Sequence, residues 1–193
     1  MSRLDTWRPY QTPTDLYKGF ADIIAASERL RVRGITVEVN LVGDGDAKDD
    51  LVRYAANFPK LRSVRFHGSL DDVQLAQQYR DAHVFVLPSA GEGFGLVYAE
   101  AMAAGLPCIA AHAGGAKEVV LDGEAGLLVP FGDPAALSDH LDCLLRNPTL
   151  FRRLSAGAQA RHDALFSHPV TLRRWTNQLR SLGSPGSDQT SRR

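Results

Sequence analysis

The sequence predicts an α/β protein built on a doubly wound parallel sheet, and three observations carry that expectation. From Ile35 onward, short β-branched runs alternate with longer stretches of helical period. One of those runs ends in a glycine-rich turn that opens into an alanine-rich helix. The chain has 193 residues, 44% of them apolar. A chain of that size buries roughly 70% of its unfolded surface and suits one domain rather than two full ones.

In chain order, residues 19–31 repeat apolar positions at helical spacing and form the first predicted helix. Residues 36–42 alternate Val37, Val39 and Leu41 with polar neighbours and predict a strand, followed by a helix over 48–57. Strands at 63–67 and 83–87 enclose a helix at 72–81. The glycine-rich turn follows the second of these strands, and its helix runs over 94–104. Short apolar strands at 108–111 and 126–129 come next, then a helix at 134–146 and two more between 148 and 180. Strand, helix, strand at this spacing requires right-handed crossovers and a sheet covered on both faces, with ligands at the carboxyl ends of the strands. At the front, no strand precedes the first helix, and residues 8–15 with Pro9 and Pro13 read as a loop. At the back, residues 181–193 have no apolar anchor after Leu182 and read as a disordered tail.

Composition excludes several functions. Lys and Arg total 22 against 22 Asp and Glu, so no net field draws in nucleic acid. Cys108 and Cys143 have no His or Cys at ligand spacing, which fits a reduced, cytoplasmic chain better than a disulfide scaffold or a zinc site. No secretory leader is visible at the N-terminus. The longest uncharged apolar run, residues 101–111, falls well short of the ~20 residues a membrane span needs.

The segment with the most chemistry is 88–105. Gly91, Gly93 and Gly95 let backbone approach a ligand closely. The amides of Phe94, Gly95 and Leu96 then open a helix with its positive end toward that ligand, which suits phosphate. Glu92 stands at the mouth of the turn, and Glu100 follows on the same helical stripe as Leu96 and Ala103. Helical side chains lean toward the N-terminus, so Glu100 points back at the turn. A carboxylate among Val97, Ala99, Ala101 and Met102 needs donors: sugar or ribose hydroxyls serve, and so does the backbone of a neighbouring loop.

Glu92 and Glu100, set within Pro88, Ser89, Gly93, Phe94, Gly95, Ala101, Met102, Ala103, Gly105 and Pro107, resemble the retaining group 1 glycosyltransferases of the GT-B fold. The likeness extends upstream through Tyr17-Lys18-Gly19-Phe20, Val42-Gly43-Asp44-Gly45 and Val64-Arg65-Phe66-His67-Gly68. Downstream it takes in residues 114–123 and 126–129, so that about residues 17–180 are covered.

That resemblance implies a Rossmann-like domain at 17–180, equivalent to the C-terminal, donor-binding half of such an enzyme. Its partner would be a nucleotide diphosphate sugar, its acceptor a sugar, lipid-linked sugar or glycan, and it would use no cofactor and no metal. Catalysis would rest on Glu92 and Lys18. Glu92, with Gly93 and the amides of Phe94 and Gly95, would hold the donor sugar. Leu96 N–H and Lys18 would face the pyrophosphate, Glu100 would take the ribose hydroxyls, and Gly43, Gly68 and Leu70 would border base and ribose. A family arginine that usually lies five residues before the lysine is matched here by Arg3, with Arg8 as competitor. Residues 1–16 then hold the end of a truncated first strand and a loop, and a separate acceptor-binding domain is expected.

Asp44 and Asp46 look like a metal-binding pair but fall where the family has a metal-free turn. His67, His83 and His112 read as core or rim histidines, and Cys108 as a small buried apolar residue. Arg146, Arg152, Arg153, Arg161, Arg173, Arg174 and Arg180 give the last helices basic faces, solvated or placed against the inner face of a membrane carrying a lipid-linked acceptor. A different class of function, a nucleotide or nucleotide-sugar binding module without turnover, stays open beside the enzyme. A nicotinamide dehydrogenase is disfavoured, because no Gly-x-Gly-x-x-Gly follows the first strand.

Overall fold

The computed structural model describes residues 18–91 and 95–167. Twelve elements follow in order: α1 (Phe20–Val32), β1 (Val39–Val42), α2 (Lys48–Ala56), β2 (Val64–Gly68), α3 (Asp72–Asp81), β3 (Phe85–Leu87), α4 (Leu96–Ala103), β4 (Cys108–Ala111), α5 (Ala116–Val119), β5 (Gly126–Val129), α6 (Pro134–Arg146) and α7 (Pro148–Leu165). All five strands pair in parallel, as the alternating pattern requires.

The caps show why several helices begin where they do. Asp71 accepts from Gln74 N–H while the Gln74 side chain accepts from Asp71 N–H, a reciprocal capping box at the start of α3. Asp133 accepts from the amides of Ala135 and Ala136, and Asn147 from Leu150, each followed by a proline in the first helical turn.

The sheet departs from a single continuous one. Among the described residues β1 pairs only with β2, and β3, β4 and β5 form a separate group in that order. In a doubly wound sheet of order 3-2-1-4-5-6, β2 and β1 take the third and second places and β3, β4 and β5 the fourth to sixth. The break therefore falls where the first strand belongs. The expected strand remnant and loop at 1–16 lie outside the described residues, apart from which the helical layers are as anticipated. α1 packs on α6 and α2, and α4 on α7 and α5.

Other differences are local. α4 begins at Leu96 rather than at the expected 94, because Gly95, in the left-handed region at φ 67°, is its N-cap and not part of the helix. α5 is a four-residue helix that the sequence pattern does not announce, being too short to show a period. Of the two helices expected after 148, α7 runs through Leu165. The second, and the tail at 181–193, fall outside the described residues.

Candidate functional site

Parallel pairing puts the carboxyl ends of β1 and β2 on one edge of their group and those of β3, β4 and β5 on one edge of theirs, and the described candidate residues lie at or just beyond these strand ends or on the helices that follow them. Two helix starts converge on adjacent residues at the end of β3. Tyr98, in the first turn of α4, donates its buried hydroxyl to the Leu87 carbonyl at 2.6 Å. Gly95, the N-cap of α4, has φ 67°. A side chain there would come within 2.7 Å of the Tyr98 ring, so only glycine lets the chain turn so closely over that tyrosine.

The start of α1 rests on the next residue. Gly19 caps α1 with φ 71°, and a Cβ there would lie 2.5 Å from the Pro88 carbonyl oxygen. Lys18 directly precedes this contact. Neither α1 nor α4 receives a side-chain hydrogen bond from its N-cap. The first amides of a helix have no carbonyl a full turn back to bond, although in α4 the Tyr98 amide reaches the Gly95 carbonyl at 2.9 Å. Two positive helix ends and a lysine are thus drawn to one place. Ser89, fully buried, shapes the intervening loop by accepting from Gly91 N–H at 3.3 Å.

Glu100 projects from the exposed stripe of α4 shared with Leu96 and Ala103, as the helical spacing predicts. Its carboxylate accepts a hydrogen bond from the Tyr79 hydroxyl of α3 at 3.0 Å. The sequence reading missed this donor. A tyrosine in a helix as polar as α3 signals a hydroxyl in need of a partner, but nothing in the sequence says that the partner lies on the next helix. Burial, and then the neighbouring Glu100 charge, push the Tyr79 phenol well above its ordinary range.

Gly43 and Gly68 meet across the ends of β1 and β2, where Gly43 N–H donates to the Gly68 carbonyl at 2.8 Å. Both have positive φ, 127° and 67°. Leu70, half-buried, follows in the turn to α3. Glu92, Gly93, Phe94 and Arg3 lie outside the described residues.

The remaining candidates take structural parts. Asp44 pairs with Lys48 at 3.3 Å, and no group of three or more His, Cys, Asp or Glu side chains suited to a metal occurs among the described residues. His67 bonds the Asn40 side chain at 2.7 Å. Cys108 is enclosed in β4 with its thiol pushed up by burial, matching the reading of it as a small apolar residue. Arg161 is not simply part of a basic face. Its guanidinium donates to the carbonyls of Val119, at 2.6 Å, and Glu118, tying α7 to the end of α5. No helix among the described residues is long and apolar enough to cross a membrane.

The model of the family described as glycosyl transferases group 1 matches residues 12–147. The chain belongs to this family. It is 39% identical over 183 residues to D-inositol 3-phosphate glycosyltransferase of Frankia alni, a match covering 93% of this chain and 44% of that protein. This glycosyltransferase chain thus spans less than half the length of curated relatives it matches. Among solved structures, Anabaena HepE in complex with UDP superposes with a TM-score of 0.80 at 26% identity, over 94% of this chain and 47% of that one. The same fold occurs in the C-terminal domain of a group 1 glycosyl transferase from Francisella tularensis, with a TM-score of 0.70 at 24% identity, covering 79% of this chain and 81% of that domain.

Proposed function

We propose that the chain is the donor-binding half of a retaining glycosyltransferase that transfers a sugar from a nucleotide diphosphate sugar without a metal. The observation that carries this reading is the convergence of the α1 and α4 N-termini on Pro88 and Leu87, with Lys18 beside them. There the first-turn amides, Leu96 N–H among them, and Lys18 stabilise charge developing on a leaving diphosphate. UDP in the HepE complex supports a nucleotide donor.

Glu100 takes the ribose hydroxyls, and Gly43, Gly68 and Leu70 leave open backbone beside ribose and base. Glu92, with Gly93, Phe94 and Gly95, holds the hexose, and Arg3 assists Lys18 at the pyrophosphate. A donor phosphate oxygen takes the acceptor proton, so this half supplies no general base. Transfer itself requires an acceptor-binding domain, on the same polypeptide or a separate one.

Calorimetric titration of the 193-residue chain in EDTA with UDP, GDP and ADP tests the assignment. Glu100→Gln is expected to weaken binding of the preferred diphosphate by about 1.5–3 kcal/mol, the size of a hydrogen bond to a charged acceptor. Glu92→Gln is expected to spare the diphosphate and weaken only the nucleotide sugar. Equal effects of both changes on plain diphosphate, or binding abolished by EDTA, refute the reading.

A further inference from the structure

We infer that Tyr79 is a positioning residue for the donor site, its hydroxyl on α3 holding the Glu100 carboxylate of α4 in the orientation that receives the ribose. This rests on the reading of Glu100 given above. The bond itself is a 3.0 Å contact across 21 residues of sequence, from one helix to the next.

Glu100 is exposed, and an exposed glutamate samples several rotamers that it must give up when it grips a ligand. A donor fixed in advance removes part of that cost, which is how preorganisation raises affinity. Tyr79 is well held for this task. Its ring lies 6.0 Å from that of Phe85 in β3, and Phe85 meets Tyr98 of α4 edge-on at 5.6 Å. Tyr98 is in turn bonded to Leu87. Three rings therefore run from α3 through β3 to α4, and the hydroxyl at their outer end is aimed by packing.

The direction of the hydrogen bond is also settled by chemistry. An ionised carboxylate can only accept, so the phenol proton lies on the Glu100 side. Burial, and then the Glu100 charge, push the phenol upward and so favour its keeping that proton.

The test compares UDP with its 2′,3′-dideoxy analogue on the 193-residue chain. Tyr79→Phe keeps the ring and removes the hydroxyl. It is expected to weaken UDP binding roughly 5- to 10-fold, the size of one net hydrogen bond, and to leave the dideoxy analogue within about 2-fold. Glu100→Gln should show the same selectivity more strongly, and the double variant should be little worse than Glu100→Gln alone, since the two groups act as one unit. Equal loss on both nucleotides, or no loss on UDP, overturns the inference while leaving the Glu100 reading intact. A Glu100→Gln variant without ribose selectivity overturns both. If UDP does not bind, GDP or ADP with its dideoxy analogue takes its place, and a chain that binds none of the three overturns both.

Discussion

In the three-stranded group every residue of β4 is fully enclosed, and α4 buries Val97, Tyr98, Ala99, Ala101 and Met102. In the two-stranded group the buried strand residues are Leu41 and Gly68, α2 buries Leu51 alone, and α3 buries none. The second group is held by partly buried apolar side chains such as Val39, Val64 and Phe66, with exposed polar pairs such as Glu38 with Arg65 and Asp50 with Arg53 beside them. Exposed pairs of that kind contribute about 0–1 kcal/mol each. One side of the candidate site is therefore a platform of fully buried residues, and the other a flank of partly buried ones. β1 and β3 do not pair among the described residues, so the Tyr79–Glu100 bond is one of the ties between flank and platform.

Breaking the platform should have the largest effect. A Cβ at Gly126 of β5 would lie 2.1 Å from the Cys108 carbonyl oxygen and 2.6 Å from a Val120 methyl, so the two strands must part to admit it. Gly126→Ala is expected to cost about 3 kcal/mol or more, lowering the thermal midpoint by roughly 6–12 °C for a chain of this size. Gly34 also has positive φ, 80°, but nothing lies within 4 Å of a Cβ there. Gly34→Ala should cost only the left-handed backbone penalty of about 1–2 kcal/mol. Thermal unfolding of the two variants side by side checks this, and similar midpoints would contradict a packed β4–β5 contact.

A smaller and more local effect is expected on the flank. Asp71→Ala removes the acceptor of the α3 capping box, worth about 1 kcal/mol. Amide hydrogen exchange should then speed up through α3 and leave β4 unchanged, because lightly packed units open without global unfolding. If β4 amides speed up to the same degree, flank and platform are one cooperative unit and the contrast drawn above fails.

The platform was also the part most legible in the sequence. Its strands at 108–111 and 126–129 are short apolar runs bounded by turns, and they match the structure residue for residue. The strands at 36–42 and 83–87 are each trimmed at the front, to Val39–Val42 and Phe85–Leu87, because apolar pattern extends beyond the residues that find a parallel partner. On the site, the stripe of Leu96, Glu100 and Ala103 followed from helical spacing alone. The glycine requirement at Gly95 was legible as a turn, but the ring beneath it was not. Tyr79, the support of Gly19 by Pro88 and the role of Arg161 were invisible for a common reason. Each depends on which elements lie side by side, and a single sequence has no local pattern that records it.

The smallest effect separates platform from flank by pH. Burial pushes both the Cys108 thiol of β4 and the Tyr79 phenol of α3 upward. Both groups are neutral when protonated, so the folded chain holds these protons more tightly than the unfolded chain. The stability they contribute is present below the unfolded pKa and is lost as pH rises above it. The loss should begin near pH 8.5–9 for the thiol and near pH 10 for the phenol, their ordinary values. Thermal midpoints measured from pH 8 to pH 11 should therefore fall less steeply for Cys108→Ala at the start of that range and for Tyr79→Phe at its end. In the parent chain, α3 amides should gain exchange above pH 10 beyond the ordinary base-catalysed rise, because the opened state, in which the Tyr79 phenol ionises at its ordinary value, is favoured there over the closed state that keeps the proton. Identical alkaline slopes for the parent and both variants would show that neither proton is held by the fold.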